Sequence, residues 1–554
     1  MLFIFLHYIG KIYIFRGNHT RTTLNYQEMK NYPRPKPMLW TAILAVFYAM
    51  SCPIPTIAQK LPDKHPKSQQ PAPVYKEPFR PQLHFSPKEK WMNDPNGMIW
   101  FQGVYHLFFQ HYPGDIVWGP MHWGHAVSKD LIHWRQLPIA LYPDSLGYIF
   151  SGSVVVDSNN TSGFGTKGQI PLVAIFTHHD PIGEKKGSLN FQNQSLAYSL
   201  DAGRTWTKYK NNPVLKNPGI IDFRDPNVLW YRPAKKWIMS LATKDCISFY
   251  SSPDLKNWNK ESEFGKASGA HGGIWECPNL FPLELEDTTW WVLLVSSNPG
   301  GPNGGSGTQY FIGHFDGREF HPVGDATKWI DYGPDDYAGV TWNNTGRRKI
   351  FLGWMSNWIY ANQVPTRQWR NAMTIPRDLR LQRVNEDIYL TSQPVKEINR
   401  LAARSSVLLK DISIDNTVDL SDKWRDSSSR YILTLHAAAI KDFFIVFSNV
   451  KGEQLAIGYD KASNHYYIDR LQSGITDFNK EFSKKYSAPR ISTEKELNLT
   501  LIMDATSLEL FADKGLTVMT SIFFPEKPYT QIHIGSNDHL LIQQLSWTPL
   551  KSIW

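Results

Sequence analysis

The chain has 554 residues, of which 42% are hydrophobic and 20% charged. A chain of that length is too long for a single hydrophobic core, so we expect two domains. The composition excludes a disordered or fibrous protein. The formal net charge is +9. Beyond the N-terminal segment, however, the sequence has no long Lys/Arg run, zinc-finger spacing or basic heptad segment, so we expect no nucleic-acid partner.

The cysteines are Cys52, Cys246 and Cys277, and they form neither a Cys-x-x-Cys pair nor a Cys/His cluster. The two histidines of "THHDP" (177–181) lack a third ligand at metal spacing. We therefore predict no metal site, no cofactor and no disulfide-built scaffold. The sequence leaves open whether a single disulfide bond joins Cys246 and Cys277.

Residues 1–58 have the parts of an export signal. The apolar run "MLWTAILAVFYAM" follows the basic segment "KNYPRPKP" and is too short to span a bilayer. Cleavage after Ala58 predicts a secreted or periplasmic protein, whereas "AMSC" offers Cys52 as an alternative site for a lipid that would hold the protein at the cell surface. A translation start at Met29 or Met38 would leave the first apolar stretch out of the protein.

Residues 59–81 are Pro-rich and polar, which predicts a linker. Strand patterns follow it, beginning with two apolar runs around Gln102-Gly103, a hairpin signal. A weak repeat of Ser, Asp, a turn and Trp then recurs in "SKDLIHW" (128–134), "SLDAGRTW" (199–206) and "SSPDLKNW" (251–258). This spacing is typical of a β-propeller with one four-stranded unit per repeat, and three coincidental hairpins are the alternative.

The pattern changes towards the C-terminus, where Trp and Gly become sparser and alternating strands lack the repeat. We therefore predict an all-β protein with a propeller over 82–392, followed within 393–554 by a linker and a β-sandwich.

The inner strands of all propeller blades converge on one channel, so polar groups near their starts can meet although they are distant in sequence. Three acids fit this rule: Asp94 in "WMNDPNG", Asp225 in "DFRDPNV" and Glu276 in "WECPNLF". Two carboxyl groups flanking a bond are what glycoside hydrolysis requires, one as nucleophile or base and one protonated to donate. The alternative is that each is a surface acid on a Pro-containing turn, since Asp-Pro-Asn-Gly alone predicts a chain reversal.

In their order and separation, these three segments resemble the β-fructosidases of glycoside hydrolase family 32, which comprises invertases, exo-inulinases and levanases. "LFFQHYP", "FSGSVVVD" and "FLGWMSNW" are also similar to that family, closest to its secreted bacterial fructan-degrading members. The resemblance covers about residues 80–390 strongly and the rest loosely. It implies a five-bladed propeller with a β-sandwich, and a retaining hydrolase that releases fructose from terminal β-fructofuranosyl units of levan, inulin or sucrose.

By the same resemblance, Asp94 matches the nucleophile, Glu276 the acid/base and Asp225 the stabiliser of the transition state. The positions that match the family's fructose pocket are Asn93, Gln110, Trp118, Phe150, Ser151, Arg224 and Trp358. Amides can engage sugar hydroxyls, indole faces can cover the furanose ring, and we expect the guanidinium to hold the neighbouring Asp225 ionised. Cys277, directly after the acid, is expected to be a packed thiol.

Asp336 in "DYGPDDYAGVTW" departs from the family, in which an aromatic residue is common at that position. We expect Asp335 and Asp336 at the rim of the site, where they would influence which sugar lies beyond the scissile bond, and a solvated loop is the alternative. Two other functions stay open: a non-catalytic sugar-binding propeller, and a sialidase-like hydrolase that the "SLDAGRTW" repeat suggests.

Overall fold

The computed structural model describes residues 75–166, 168–424 and 429–554. The predicted export signal, the lipid site at Cys52 and residues 59–74 of the predicted linker lie outside these ranges. Among the described residues, no helix combines the length and apolar character needed to cross a membrane.

Five antiparallel sheets follow one another along the chain and form five blades. The first three contain β1 (Lys90–Phe101), β2 (Val104–Tyr112), β3 (His122–Ser128) and β4 (Trp134–Leu141); β5 (Tyr148–Val156), β6 (Leu172–His179), β7 (Gln192–Ser199) and β8 (Thr207–Lys208); and β9 (Phe223–Tyr231), β10 (Lys236–Thr243), β11 (Cys246–Ser252) and β12 (Asn259–Phe264). Short helices occupy Pro181–Lys185 and Arg232–Ala234.

The fourth and fifth blades complete the ring. They contain β13 (Ile274–Leu285), β14 (Thr288–Asn298), β15 (Gly307–Phe315), β16 (Phe320–Pro322) and β17 (Lys328–Trp329); and β18 (Tyr337–Thr341), β19 (Lys349–Met355), β21 (Ala372–Met373), β22 (Arg377–Val384) and β23 (Asp387–Pro394). Between β19 and β21 in sequence, β20 (Trp369–Arg370) leaves the fifth blade and pairs parallel to β1 in the first blade.

The first strand of each blade is its innermost strand. These strands contact one another in a closed ring, β1 with β5, β5 with β9, β9 with β13, β13 with β18 and β18 with β1. A separate apolar cluster fills each space between neighbouring blades. The predicted five-bladed propeller is therefore confirmed.

The Ser–Asp–turn–Trp repeat connects the third and fourth strands in the first three blades. In each copy the Asp carboxylate accepts backbone N–H groups from the turn, as Asp130 does from Ile132 and His133. The Trp indole then donates to the carbonyl three residues earlier, at 2.9–3.2 Å. A fourth copy in blade 4 centres on Asp316, but the sequence pattern missed it because Phe320 replaces Trp.

The second domain is a sandwich of two six-stranded sheets around one apolar core. Its strands are β24 (Ser406–Ile414), β25 (Thr417–Asp419), β26 (Tyr431–Ala437), β27 (Phe443–Ser448), β28 (Gln454–Asp460), β29 (His465–Gln472), β30 (Lys485–Pro489), β31 (Leu497–Asp504), β32 (Ser507–Ala512), β33 (Thr517–Ile522), β34 (Gln531–Gly535) and β35 (Leu540–Pro549). Short helices cover Lys396–Leu401 and Asp513–Gly515. The predicted β-sandwich is confirmed.

Asp335 and Asp336 lie between the two domains, so the prediction that they form a rim or a solvated loop was wrong. Both are fully or almost fully buried. Asp335 accepts hydrogen bonds from Arg470 of the sandwich, at 2.7 Å, and from Tyr360, at 2.6 Å. Asp336 accepts from Arg377, at 2.9 Å. Buried carboxylates require such partners, because an unpaired charge in the interior is costly.

His84 connects the segment before β1 to the sandwich. Its two ring nitrogens lie 2.8 Å from Asp504 Oδ2 and 2.8 Å from Glu509 Oε1, and all three side chains are buried. Each nitrogen faces a carboxylate acceptor, so both must donate and the ring is an imidazolium. Burial alone would lower its pKa, but the two carboxylates raise it from 6.5 to about 9.

We expect His84→Gln to destabilise the protein in a pH-dependent way. Because the folded-state pKa lies above the unfolded one, the contribution of His84 is complete below pH 6.5 and is lost as the pH rises to about 9. Denaturant unfolding at pH 6 should show a loss on the order of 3 kcal/mol relative to wild type. That difference should shrink strongly at pH 9.5, and an equal loss at both pH values would contradict the charged bridge.

Candidate active site

All five inner strands have an irregular pairing near their starts. The shifts fall between Met92 and Pro95, Ile149 and Gly152, Arg224 and Asn227, Glu276 and Asn279, and Tyr337 and Val340. Pro cannot donate to a ladder and is tolerated in strands at edges and bulges. The Pro-containing segments around the three acids are therefore bulges within strands, and the chain-reversing turn expected at Asp-Pro-Asn-Gly does not form.

The three predicted acids meet at this end of the channel, on blades 1, 3 and 4. Cys277 marks the meeting point: its backbone N–H donates to Asp225 Oδ2 at 3.0 Å, and its Sγ lies 3.8 Å from Asp94 Oδ2. Glu276 is the preceding residue. Asp94 and Glu276 are half-buried, whereas Asp225 is buried.

Asp94 is held by two side chains that were predicted to bind substrate. Ser151 Oγ donates to Asp94 Oδ2 at 2.9 Å, and Asn93 Nδ2 donates to Asp94 Oδ1 at 3.0 Å. Asn93 is itself oriented by the indole of Trp91, at 2.7 Å. Burial and the nearby charge of Glu276 raise the pKa of Asp94, and these two hydrogen bonds oppose the rise because they favour the ionised form.

Both carboxylate oxygens of Glu276 accept hydrogen bonds. Arg224 Nη2 donates to Oε1 at 2.9 Å, and the hydroxyl of Tyr337 donates to Oε2. The guanidinium also pairs with Asp222. The expectation that Arg224 holds Asp225 ionised is thus corrected: the guanidinium donates to Asp222 and Glu276, and although its charge opposes the rise through space, the pKa of Asp225 is raised.

Tyr337 was missed by the sequence reasoning, although a signal was available. It is the first residue of β18, the inner strand of blade 5, and the rule of one polar group near each inner-strand start points to it. With it, every blade contributes one side chain: Asp94, Ser151, Asp225, Glu276 and Tyr337.

Several carboxyl groups lie close together in the buried part of the site, and their charges raise the pKa values of neighbouring groups. Burial raises the pKa of Asp225 to about 7, helped by the charges of Glu276 and Asp94 and opposed by that of Arg224. Burial and the same carboxylates hold the pKa of Cys277 well above its usual range. The thiol is therefore neutral and packed, and Cys246 and Cys277 are both free, so the bridge left open above does not form.

The remaining predicted substrate residues lie at the same end of the channel. Trp358 is half-buried and stacks on Trp91 with a 6.0 Å centroid separation. Phe150 stacks on His179 at 4.2 Å, and Trp118 is 40% exposed beside it. Gln110 is buried at the end of β2, and its Nε2 has no acceptor among the described residues. These groups add aromatic faces and an amide donor to this end of the channel.

Within residues 75–166, 168–424 and 429–554, no group of three or more His, Cys, Asp or Glu side chains could hold a metal ion. What the site offers is two half-buried carboxyl groups in different surroundings, facing one open channel end. One is held by neutral donors and the other by a guanidinium and a phenol. This combination defines a propeller hydrolase of the glycosidase type, in which one carboxylate attacks and the other transfers a proton.

The comparisons with known proteins give the family. Residues 84–394 match the model of the glycosyl hydrolases family 32 N-terminal domain, and residues 396–548 match that of the family 32 C-terminal domain. The chain belongs to glycosyl hydrolase family 32. The non-catalytic and sialidase-like alternatives are not favoured.

Named relatives agree with this assignment. The chain is 43% identical over 494 residues to a levanase of Bacillus subtilis, covering 87% of this chain and 72% of that protein. It is 39% identical to an extracellular exo-inulinase of Aspergillus niger, covering 81% of this chain and 90% of that one. The crystal structure of an exo-inulinase from Aspergillus awamori superposes with a TM-score of 0.79 at 35% identity, covering 87% of this chain and 100% of that chain.

We expect Tyr337→Phe to lower turnover. The hydroxyl donates to Glu276 and helps to hold its carboxyl group in place. Its removal should lower kcat about tenfold, the effect of one hydrogen bond to a charged group. Tyr310→Phe is the matched control, because it removes a buried hydroxyl of blade 4 that accepts a hydrogen bond from the backbone N–H of Leu390 in blade 5. A kcat of Tyr337→Phe equal to that of wild type would exclude this role.

Proposed function

We propose that the protein hydrolyses terminal, non-reducing β-fructofuranosyl bonds of fructans and sucrose and releases fructose with retention of configuration. The observation that carries the proposal is the meeting of Asp94, Asp225 and Glu276 at one open end of the channel. The relatives named above, a levanase and an exo-inulinase, support fructan as the substrate class.

In the first step, a carboxylate oxygen of Asp94 attacks the anomeric C2 of the terminal fructose. The bond from C2 to the leaving oxygen breaks, and the proton of Glu276 passes to that oxygen. In the second step, a water molecule gives a proton to the Glu276 carboxylate, and its oxygen attacks C2, which frees Asp94. Arg224 and Tyr337 stabilise the ionised Glu276 between the steps.

The surrounding residues are assigned to substrate binding. Asp225 receives hydroxyl donors of the fructose, and its position beside Asp94 puts negative charge near the developing oxocarbenium ion. Gln110 offers its unpaired amide donor to a hydroxyl. Trp118, Phe150 and Trp358 provide aromatic faces for the furanose ring, whereas Asn93 and Ser151 act first on Asp94.

The proposal also covers the domain boundaries of the protein and its export from the cell. We assign the catalytic propeller to residues 82–392 and the linker and sandwich to 393–554. We also assign export to residues 1–58, with release after Ala58 or lipid attachment at Cys52 as the two outcomes. The similarity to the extracellular exo-inulinase of Aspergillus niger supports export.

The function is tested by incubating the purified protein with sucrose, inulin and levan and measuring free fructose by chromatography. Release from at least one of them is expected, with fructose as the first product. Asp94→Asn keeps the side-chain shape but removes the nucleophile, and it should lose at least a thousandfold in rate while remaining folded. The absence of fructose with all three substrates would overturn the proposal.

The role of Glu276 is tested by its removal. Glu276→Ala should lower kcat on sucrose by 10²–10⁴-fold, the usual contribution of a general acid. A nitrophenyl β-fructofuranoside needs little protonation of its leaving group, so its first step should be far less impaired in the same variant. If both substrates lose the same factor, proton donation belongs to another residue.

A further inference from the structure

The propeller channel has a second mouth, opposite the acids. A cavity of about 780 Å³ opens there, bounded by the C-terminal ends of all five inner strands and by the loop from Trp342 to Lys349. Strands rise about 3.3 Å per residue, so the five residues from Asp94 to Ile99 place this mouth roughly 17 Å from the nucleophile. The volume lies within the range of pockets that bind small ligands.

Polar side chains link the inner strands between the acids and this cavity and along its wall. Asn279 Nδ2 donates to Asn227 Oδ1 at 3.1 Å, and Asn279 Oδ1 accepts from the backbone of Thr341 at 2.8 Å. Asn343 Nδ2 donates to the carbonyls of Val154 and Val228, at 2.9 and 3.3 Å. The strands that line the far cavity are therefore tied to one another by hydrogen bonds.

The lining of the cavity combines aromatic faces with hydrogen-bonding groups of both kinds. Trp230, Tyr231 and Trp291, from neighbouring blades 3 and 4, are half-buried, so each keeps part of its surface open. Exposed Arg232 and Arg347 supply donors at the edge, and exposed Glu284 supplies an acceptor.

Lys349 adds a donor inside the cavity. Its ammonium group donates to the carbonyl of Gly346 at a long 3.4 Å, and burial lowers its pKa. Such a group has unused hydrogen-bonding capacity towards a ligand.

We propose that this cavity binds a second segment of fructan chain, so that a polymer is held at a point remote from the site of cleavage. Sugar rings present C–H faces that pack on indole and phenol rings, and hydroxyls that both donate and accept. The half-buried aromatic side chains Trp230, Tyr231 and Trp291 favour a sugar chain, whereas the excess of cationic groups over Glu284 makes an anionic ligand the competitor that the test below must exclude. The identity of the chain as fructan rests on the proposed function.

A second site acts by raising the effective concentration of substrate at the first. Because the two mouths lie at opposite ends of the channel, a chain held at both sites is expected to pass around the outside of the propeller. Short substrates cannot do this. The effect is therefore expected for high-mass levan or inulin and not for sucrose.

Kinetics on polymer and on sucrose test the proposal. Trp291→Ala removes an aromatic face, and Ser158→Trp fills the cavity from an exposed position on its wall. Both should raise KM for the polymer three- to tenfold and leave kcat/KM for sucrose within twofold of wild type. Trp100→Ala is the matched control, because Trp100 is 36% exposed on β1 but does not line the cavity.

Unchanged KM for the polymer in both variants would overturn the proposal, as would an equal loss on sucrose, which would indicate damage to the fold. Binding is measured independently by titrating Asp94→Asn with inulin oligosaccharides in a calorimeter. Two sites per chain are expected, falling to one when Ser158→Trp is added. Binding of fructose bisphosphate there but of no neutral oligosaccharide would also overturn it. If wild type cleaved no fructan, the proposed function would fail, and this titration would still decide the cavity.

Discussion

Closure of five inner strands into one ring is the constraint on which the rest of the molecule depends. Each inner strand lies on the channel side of its own sheet, and the bulged residues near its start pair with a neighbouring strand on one side only, although β20 pairs with the first two residues of β1. The bulge turns a polar side chain into the channel while the following residues return to the apolar cores between the blades. Five repetitions of this geometry bring together groups that lie up to 243 positions apart, from Asp94 to Tyr337.

The electrostatics of the site follow from that crowding. Three carboxyl groups, those of Asp222, Asp225 and Glu276, lie around the guanidinium of Arg224, and Asp94 adds a fourth beside Cys277. Like charges in a partly desolvated space cannot all ionise without cost, so protons are retained. Neutral donors around Asp94 favour its ionised form, which suits a nucleophile. The neutral thiol of Cys277 occupies the centre without adding further charge.

The sandwich is joined to the propeller by buried charged groups. Arg377 binds Asp331 and Asp336 of the propeller and Glu509 of the sandwich, and Glu509 in turn accepts from His84. Buried ion pairs contribute little net stability compared with apolar packing, but breaking one leaves an uncompensated charge. Such a network therefore favours one docking geometry over others. Because Asp336 immediately precedes Tyr337, the same network also anchors the strand that carries the phenol facing Glu276.

Much of this protein could be read from its sequence. Strand periodicity, the Ser–Asp–turn–Trp repeat and the three acid-containing segments determined the all-β class, the propeller and the acids Asp94, Asp225 and Glu276, because these are local patterns that each blade repeats. Tertiary structure alone decided what the patterns become. Asp-Pro-Asn-Gly forms a bulge in a strand because the propeller leaves these four residues paired with a neighbouring strand on one side only, which a tetrapeptide does not encode.

The tertiary structure also decided which hydrogen-bond and ion-pair partners each charged residue has. Arg224 lies next to Asp225 in sequence, but consecutive side chains on a strand diverge, and its guanidinium reaches Asp222 and Glu276 instead. Asp335 and Asp336 look like surface acids until the sandwich covers them, since burial depends on residues more than a hundred positions away. A sequence specifies which groups are present near each strand start; only the packed molecule specifies which of them face one another.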